Sequence, residues 1–313
     1  MAQSKLPVIR KAVFPVAGLG TRMLPATKSI PKEMLSIVDR PAIQLVVDEA
    51  REAGIEQFIF VTGRNKSAIE DYFDRNFELD STLLSGGKSV LQDSTNRSLI
   101  GAGQAIFTRQ QNALGLGHAV WCARHIVGDE PFALLLPDML MRSSPGCLKQ
   151  MMETYRVRGG GNVISLEEVP WTDVVKYGVV GFRPHEHGTM AINRMVEKPT
   201  LEDAPSNLII SGRYILQPEI FRKIASTNPD VRGEIQLTDA MGALMVEQRF
   251  WGHSFSGTTF DCGDKLGYLL ANLAYGLAHK EIGVLFQKAV AAQLKQLEVL
   301  NDELNYFAPN KVA

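Results

Sequence analysis

The sequence predicts an α/β protein built on a doubly wound, mostly parallel mixed sheet flanked by helices. Three observations carry this. Apolar runs alternate with stretches of helical periodicity in a β–α–β–α rhythm. One run, residues 132–136, is apolar at every position, as a parallel strand covered on both faces requires. The chain has 313 residues, enough for one large domain or one domain with an annex.

Residues 11–17 read as a first strand that flows into a glycine loop, although Pro15 is an awkward strand residue. Residues 41–53 read as a helix, with Pro41 suited to its first turn and Gly54 placed as a C-terminal stop. A strand is expected over residues 57–62, a helix over 67–77 and the buried strand over 132–136, ending at Pro137 and Asp138. Together these make a Rossmann-like sheet. Beyond residue 160 the pattern turns strand-rich. Residues 162–169, 178–182, 192–196 and 208–216 all look extended and add a small extra β region. No repeat or low-complexity linker interrupts the chain, so residues 1–281 are expected to form one continuous unit. Residues 282–313 form a C-terminal helical segment. Phe286, Val290, Leu294, Leu297, Leu300 and Leu304 recur there at spacings of three and four. That stripe fits either packing on its own domain or a dimer contact.

Bulk properties exclude several classes. Net charge is -1, which gives no electrostatic footprint for nucleic acid or an anionic membrane. An anionic substrate would have to be captured by a few local cations and backbone amides. Cys122, Cys147 and Cys262 are odd in number and form no CxxC pair, so neither a disulfide framework nor a zinc site is indicated. The first residues lack the apolar core of a signal peptide, and no run approaches the roughly 18 apolar residues of a membrane helix. A cytoplasmic location is expected.

The most informative segment runs from Ala17 through Gly18, Gly20, Thr21 and Arg22 to Lys28, Pro31 and Lys32. Glycines after a first strand let backbone N–H groups approach a phosphate without a Cβ in the way. A helix start immediately beyond would add its positive end. Two familiar phosphate loops are excluded. The third glycine of a dinucleotide fingerprint is Met23 here, and no GxxxxGK followed by Ser or Thr occurs. Arg22 and Lys32 are permanent cations, and neither sits in an obvious acidic pairing pattern. Amides plus two point charges suit a triphosphate. Asp138 closes the buried strand, and ligands gather at the carboxyl ends of strands in open α/β sheets. A carboxylate there suits Mg²⁺, a hard ion shared between protein and phosphates, although turn-capping aspartates are common at the same place.

The run AGLGTRMLPATKSIPKEML resembles the N-terminal signature of bacterial UTP–glucose-1-phosphate uridylyltransferases, the UDP-glucose pyrophosphorylases within the sugar nucleotidyltransferase family. Ser36 departs from it, where proline is expected. The likeness extends from about residue 11 to about residue 279. It implies an enzyme that transfers the uridylyl group of UTP to glucose 1-phosphate with Mg²⁺, by in-line attack on the α-phosphorus. Residues 1–281 are then its catalytic unit, assembled as a homodimer or homotetramer. It implies that Ala17, Gly18, Gly20, Thr21 and Arg22 wrap the triphosphate and that Lys32 stabilises charge at the reacting centre. Gln110 and Gly115 would read uracil, with the GLGHAV segment selecting Gln110 over Gln111. His118 is expected to be structural or capping. Asp138 and Asp261 would hold the metal. Glu197 would meet sugar hydroxyls, Lys198 the sugar phosphate, and Gly178 would leave space for the hexose. Arg213, Tyr214 and the GEIQLTD segment match the family without an assigned role. Three other readings remain: a pyrophosphorylase for dTTP or another hexose phosphate, a catalytically silent regulatory paralogue, and an NAD-dependent oxidoreductase.

Overall fold

A computed structural model describes residues 6–185 and 189–307, with side chains described as far as residue 297. The parallel half of the sheet consists of β1 (Lys11–Pro15), β2 (Gln57–Thr62), β3 (Ala105–Arg109) and β4 (Phe132–Leu135). β1 lies between β2 and β4 and runs parallel to both, and β3 extends the set beside β2. Alternate residues feed two cores. Ala12, Phe14, Phe58, Phe60, Ala133 and Leu135 enter one. Val13, Ile59, Val61, Phe132 and Leu134 enter the other. This two-sided burial is why these strands read as continuous apolar runs. Stacked rings cross the first core, with Phe60 centroids 5.1 Å from Phe14 and 5.0 Å from Phe107. Pro15 costs no ladder bond, because the pairing of β1 with β4 ends at Val13.

Helices cover both faces. On one side lie α1 (Ala42–Glu52) and, after α2 (Gly115–Cys122) on the other side, α3 (Cys147–Val157). α4 (Ile220–Ser226) and α5 (Leu237–Leu244) join α2 over the second core. The strands step outward from β1 to β2 to β3, and the chain then returns to place β4 on the far side of β1. The direction of winding therefore reverses between β1 and β4. Their carboxyl ends flank the crevice where ligands of such sheets collect.

The expectation of a mostly parallel sheet with a small β addition needs correction. β5 (Asn162–Glu168), β6 (Gly178–Pro184), β7 (Thr189–Glu197), β8 (Leu208–Leu216) and β9 (Phe250–Ser254) give a nine-stranded mixed sheet in the order β3-β2-β1-β4-β8-β5-β9-β7-β6. β8 runs antiparallel to β4, β5 and β6, and only β5 with β9 adds another parallel pair. The pairing of Ile209 with Val179 joins β8 to β6 and closes five strands into a ring. Leu166, Val180, Ile192, Ile210 and Phe250, one from each of these strands, share a core. The four parallel strands thus conform to the expected rhythm, while the added β region, with five strands, is larger than that half.

Most expected elements form within a few residues of their predicted bounds. The second helix is shorter, Ser67–Phe73, and is followed by separate helices at Phe77–Ser85 and Ser89–Asn96. α6 (Lys265–Leu277) starts at Asp264, whose side chain accepts from the Gly267 amide at 2.9 Å. α7 (Gly283–Phe307) docks its first turns on α6, where Gly276 leaves room for the Phe286 ring. Farther along, Leu294 and Leu297 are exposed, and the side chains of Leu300 and Leu304 lie outside the described residues. Among the described residues no helix is long and apolar enough to cross a membrane.

Candidate active site

The loop after β1 passes through Gly20 in the left-handed region, φ 69°, a conformation that favours glycine. Thr27 Oγ1 donates to the Gly20 carbonyl at 2.8 Å and ties the loop to the next turn of chain. No α-helix follows the loop directly. Three single 3₁₀ turns, Thr21–Met23, Ala26–Lys28 and Lys32–Met34, intervene before α1. Pro25 and Pro31 punctuate this stretch, so an anion here would depend on amides and cations rather than on a helix dipole.

The two cations are not free. Lys32 Nζ donates to Asp138 Oδ2 at 2.5 Å, and Arg22 Nη1 lies 3.5 Å from Asp261 Oδ2. The acidic partners stand far along the chain, which is why local sequence did not reveal them. An antiparallel ribbon of Met139–Arg142 with Thr258–Asp261 brings the two aspartates together, and the Cys262 amide donates to the Asp138 carbonyl at 2.7 Å. Gly18 abuts Lys32, since a Cβ there would sit 3.9 Å from Lys32 Cε. Gly18, Arg22, Lys32, Asp138 and Asp261 therefore form one cluster at the crevice.

Electrostatics within the cluster are uneven. Burial opposes ionisation of Asp138, but the Lys32 ammonium outweighs it and holds this carboxyl below its usual range. Burial likewise opposes the charge on Lys32, yet Asp138 and Glu33 raise its pKa, so it stays cationic. Asp261 is pushed up, first by burial and then by the negative charge of Asp138. Two hard carboxylates, one disfavoured by the other, fit a divalent cation. Among the described residues no group of three or more His, Cys, Asp and Glu could hold a metal. Mg²⁺ commonly takes only one or two carboxylates, with substrate phosphates completing its shell, so the donor set fits that ion.

Two buried ion pairs brace the cluster, and sequence reasoning assigned neither. Glu33, beside Lys32, accepts from Lys66 Nζ at 2.8 Å. Arg213 is fully buried, with Nη2 2.8 Å from Glu49 Oε2 and Nη1 donating to the Leu136 carbonyl at 3.0 Å. Arg213 therefore secures the strand end that carries Asp138. The unassigned match of Arg213 to the family has this structural account.

Gln110 comes directly after β3, and its backbone N–H donates to the Thr62 carbonyl at 2.8 Å. Gly63, next to Thr62, packs so closely that a Cβ would lie 3.0 Å from the Ala17 carbonyl. Ala17, Gln110 and Asp138 thus share the carboxyl edge of the parallel strands. Gln110 Nε2 donates to the Gly115 carbonyl at 3.1 Å and faces His118 Nδ1 at 3.1 Å. His118 is no helix cap. It contacts the glutamine. Gly115 has φ 89°, and a Cβ there would lie 2.9 Å from the Ile235 carbonyl, so this glycine answers to the neighbouring chain as well as to any ligand.

Glu197 and Lys198 lie at the end of β7. Their side chains pair, with Lys198 Nζ 3.4 Å from Glu197 Oε1. Lys198 adopts φ 44°, and this turn brings two consecutive residues onto one side. The Thr238 hydroxyl donates to Glu197 Oε2 at 2.7 Å. Gly178 stands opposite Glu197 in the ladder, and a Cβ there would meet Thr238 Oγ1 at 3.1 Å and Glu197 Oε2 at 3.2 Å. A side chain at this position would crowd both groups. Thr238 belongs to the GEIQLTD segment left without a role, and its sequence context signals only a helix start. Buried Tyr214 links the two ends of the site. Its phenol is pushed up by burial and then by the charges of Glu197 and Asp138.

A family model described as nucleotidyl transferase matches residues 11–276. The chain belongs to the nucleotidyl transferase family. This nucleotidyl transferase is 43% identical over 274 residues to a UTP–glucose-1-phosphate uridylyltransferase of Bacillus subtilis, covering 88% of this chain and 93% of that one. A protein of the same name from Komagataeibacter xylinus is 43% identical, over 82% of this chain and 90% of the relative. Among solved structures, a UTP-bound UGPase from Acinetobacter baumannii superposes with TM-score 0.84 at 46% identity, covering 91% of this chain and 99% of that one. A UDP-glucose pyrophosphorylase complexed with UDP-glucose gives TM-score 0.78 at 44% identity, over 86% of this chain and 98% of that one. The nucleotidyl transferase described here is an enzyme of the same α/β nucleotidyltransferase fold.

Proposed function

We propose that this enzyme transfers the uridylyl group of UTP to α-D-glucose 1-phosphate, forming UDP-glucose and pyrophosphate. The carrying observation is the cluster of Lys32–Asp138 and Arg22–Asp261 at the crevice beside β1 and β4, in a chain 43% identical to a UTP–glucose-1-phosphate uridylyltransferase. Two anionic substrates must meet, and their repulsion is the main obstacle. The sugar phosphate oxygen is already ionised, so no general base is required, and positioning with charge neutralisation carries the reaction. Backbone groups of Ala17, Gly18, Gly20 and Thr21 line the triphosphate. Arg22 and Lys32 exchange their carboxylate partners for phosphate oxygens. Lys198 holds the incoming phosphate, Glu197 accepts from sugar hydroxyls with Gly178 at its back, and Gln110 with Gly115 meets uracil. Asp138 and Asp261 would hold Mg²⁺, which when bound supplies positive charge to phosphate oxygens.

The reading extends to a cytoplasmic enzyme, consistent with three free cysteines. It also extends to a homodimer or homotetramer that uses the exposed Leu294 and Leu297 stripe of residues 282–313. A matrix of nucleotides against sugar 1-phosphates, read by pyrophosphate release with Mg²⁺ and EDTA arms, tests the whole. UTP with glucose 1-phosphate is expected to dominate and to fail in EDTA. Equal turnover with dTTP would reassign the nucleotide, and undiminished turnover in EDTA would remove the metal.

A further inference from the structure

We infer that His118 fixes which way round the Gln110 amide is held, and so selects the nucleobase. The inference rests on the reading that Gln110 meets the base. It begins with a carbonyl. Gln110 Nε2 lies 3.1 Å from the Gly115 oxygen, and a backbone carbonyl can only accept. The end of the amide turned toward Gly115 must therefore be the NH₂ group.

The same nitrogen faces His118 Nδ1 at 3.1 Å. Two N–H groups cannot share that hydrogen bond, so Nδ1 carries a lone pair and the ring proton sits on Nε2. The surroundings hold the ring in this state. His118 stacks on Trp121, centroids 5.9 Å apart, and the Arg124 guanidinium lies over the same indole at 3.3 Å from its centroid. Burial, and then this cation, disfavour a charged imidazole.

With its nitrogen engaged by two acceptors, Gln110 offers its carbonyl oxygen to a ligand. An acceptor in that place complements the N3–H of uracil or thymine. It opposes cytosine, whose N3 carries a lone pair. If the amide turned over, it would present N–H groups and favour cytosine. The histidine thus acts as a positioning residue for specificity, and it touches the glutamine rather than the substrate.

The test compares kcat/KM for UTP and CTP, each with glucose 1-phosphate, in the native enzyme and in His118→Leu, His118→Asn and Gln110→Ala. The ratio of the two constants is insensitive to the fraction of folded enzyme. His118→Leu removes one of two acceptors, so the UTP preference is expected to fall roughly fivefold to tenfold, the effect of one net hydrogen bond. Asn restores an acceptor near Nδ1 and is expected to recover at least half of that loss. An unchanged ratio in His118→Leu, or equal loss in the Leu and Asn variants, overturns the lock while leaving Gln110 as base reader if Gln110→Ala lowers the ratio. An unchanged ratio in Gln110→Ala overturns the base reading and the lock together.

Discussion

Lys32 and Asp138 neutralise one another as a partly buried pair, so neither charge stands alone before substrate arrives. A polyphosphate must displace the carboxylate from the ammonium, and a divalent cation would compensate the carboxylate so released. Removing one such contact to a developing charge typically costs about 2.7–4 kcal/mol. Lys32→Ala is therefore expected to lower kcat by roughly two to three orders of magnitude. Far-ultraviolet circular dichroism should remain native. Steady-state pyrophosphate release decides this, and native turnover would remove Lys32 from the chemistry. Asp138→Asn should raise the Mg²⁺ concentration needed for half-maximal rate, as a magnesium titration at saturating UTP would reveal. Arg22 and Asp138 were legible from the glycine loop and the strand end, and Lys32 from its charge near that loop, while Asp261 was legible through the family resemblance. Their pairing was not legible, because Asp138 and Asp261 approach only through a ribbon whose strands lie far apart in the chain.

At the scale of elements, close backbone contacts and buried ion pairs fix the loops. The Gly117 amide donates to the Ile235 carbonyl at 2.9 Å, and a Cβ on Gly117 would lie 2.7 Å from that oxygen. Gly117→Ala must push the start of α2 away from residues 234–235, at about 1–3 kcal/mol. Urea unfolding should show a lower midpoint with an unchanged slope. Arg213→Met leaves Glu49 buried without its guanidinium, which costs about 3–5 kcal/mol, whereas Glu49→Leu with Arg213→Met should regain much of that loss. Equal stability of the single and double variants would argue against this account. The strands covered on both faces were legible from composition alone, since two-sided burial demands unbroken apolar runs. β3 and β9 were not anticipated, and neither were the three 3₁₀ turns that follow the glycine loop. A GxG turn specifies a backbone bend, while Pro25 and Pro31 set the path of the chain beyond it.

For the whole molecule, the parallel half is dictated by local patterning, but the closed ring is not. Alternation of apolar residues identifies a strand without naming its neighbour, and the Ile209–Val179 pairing joins strands with three others between them in the order of that ring. The C-terminal helix remains the element whose partner is least specified by its own sequence. Deleting residues 283–313 should leave the catalytic unit folded, because α7 docks on α6 through its first turns, at Phe286. Light scattering should then report a smaller assembly. An unchanged mass would place the subunit contact elsewhere.

Closure of the ring carries a consequence for association. A nine-stranded sheet ordinarily presents two open margins, but here β6 is joined back to β8 at the Ile209–Val179 pair, leaving β3 as the one strand of the main sheet with a single neighbour among the described residues. β3 has five residues and ends in Arg109, whose guanidinium donates back to the Gly63 carbonyl at 3.1 Å. The wholly unpaired margin of the main sheet is thus confined to that short segment, which offers a limited template for strand-to-strand polymerisation.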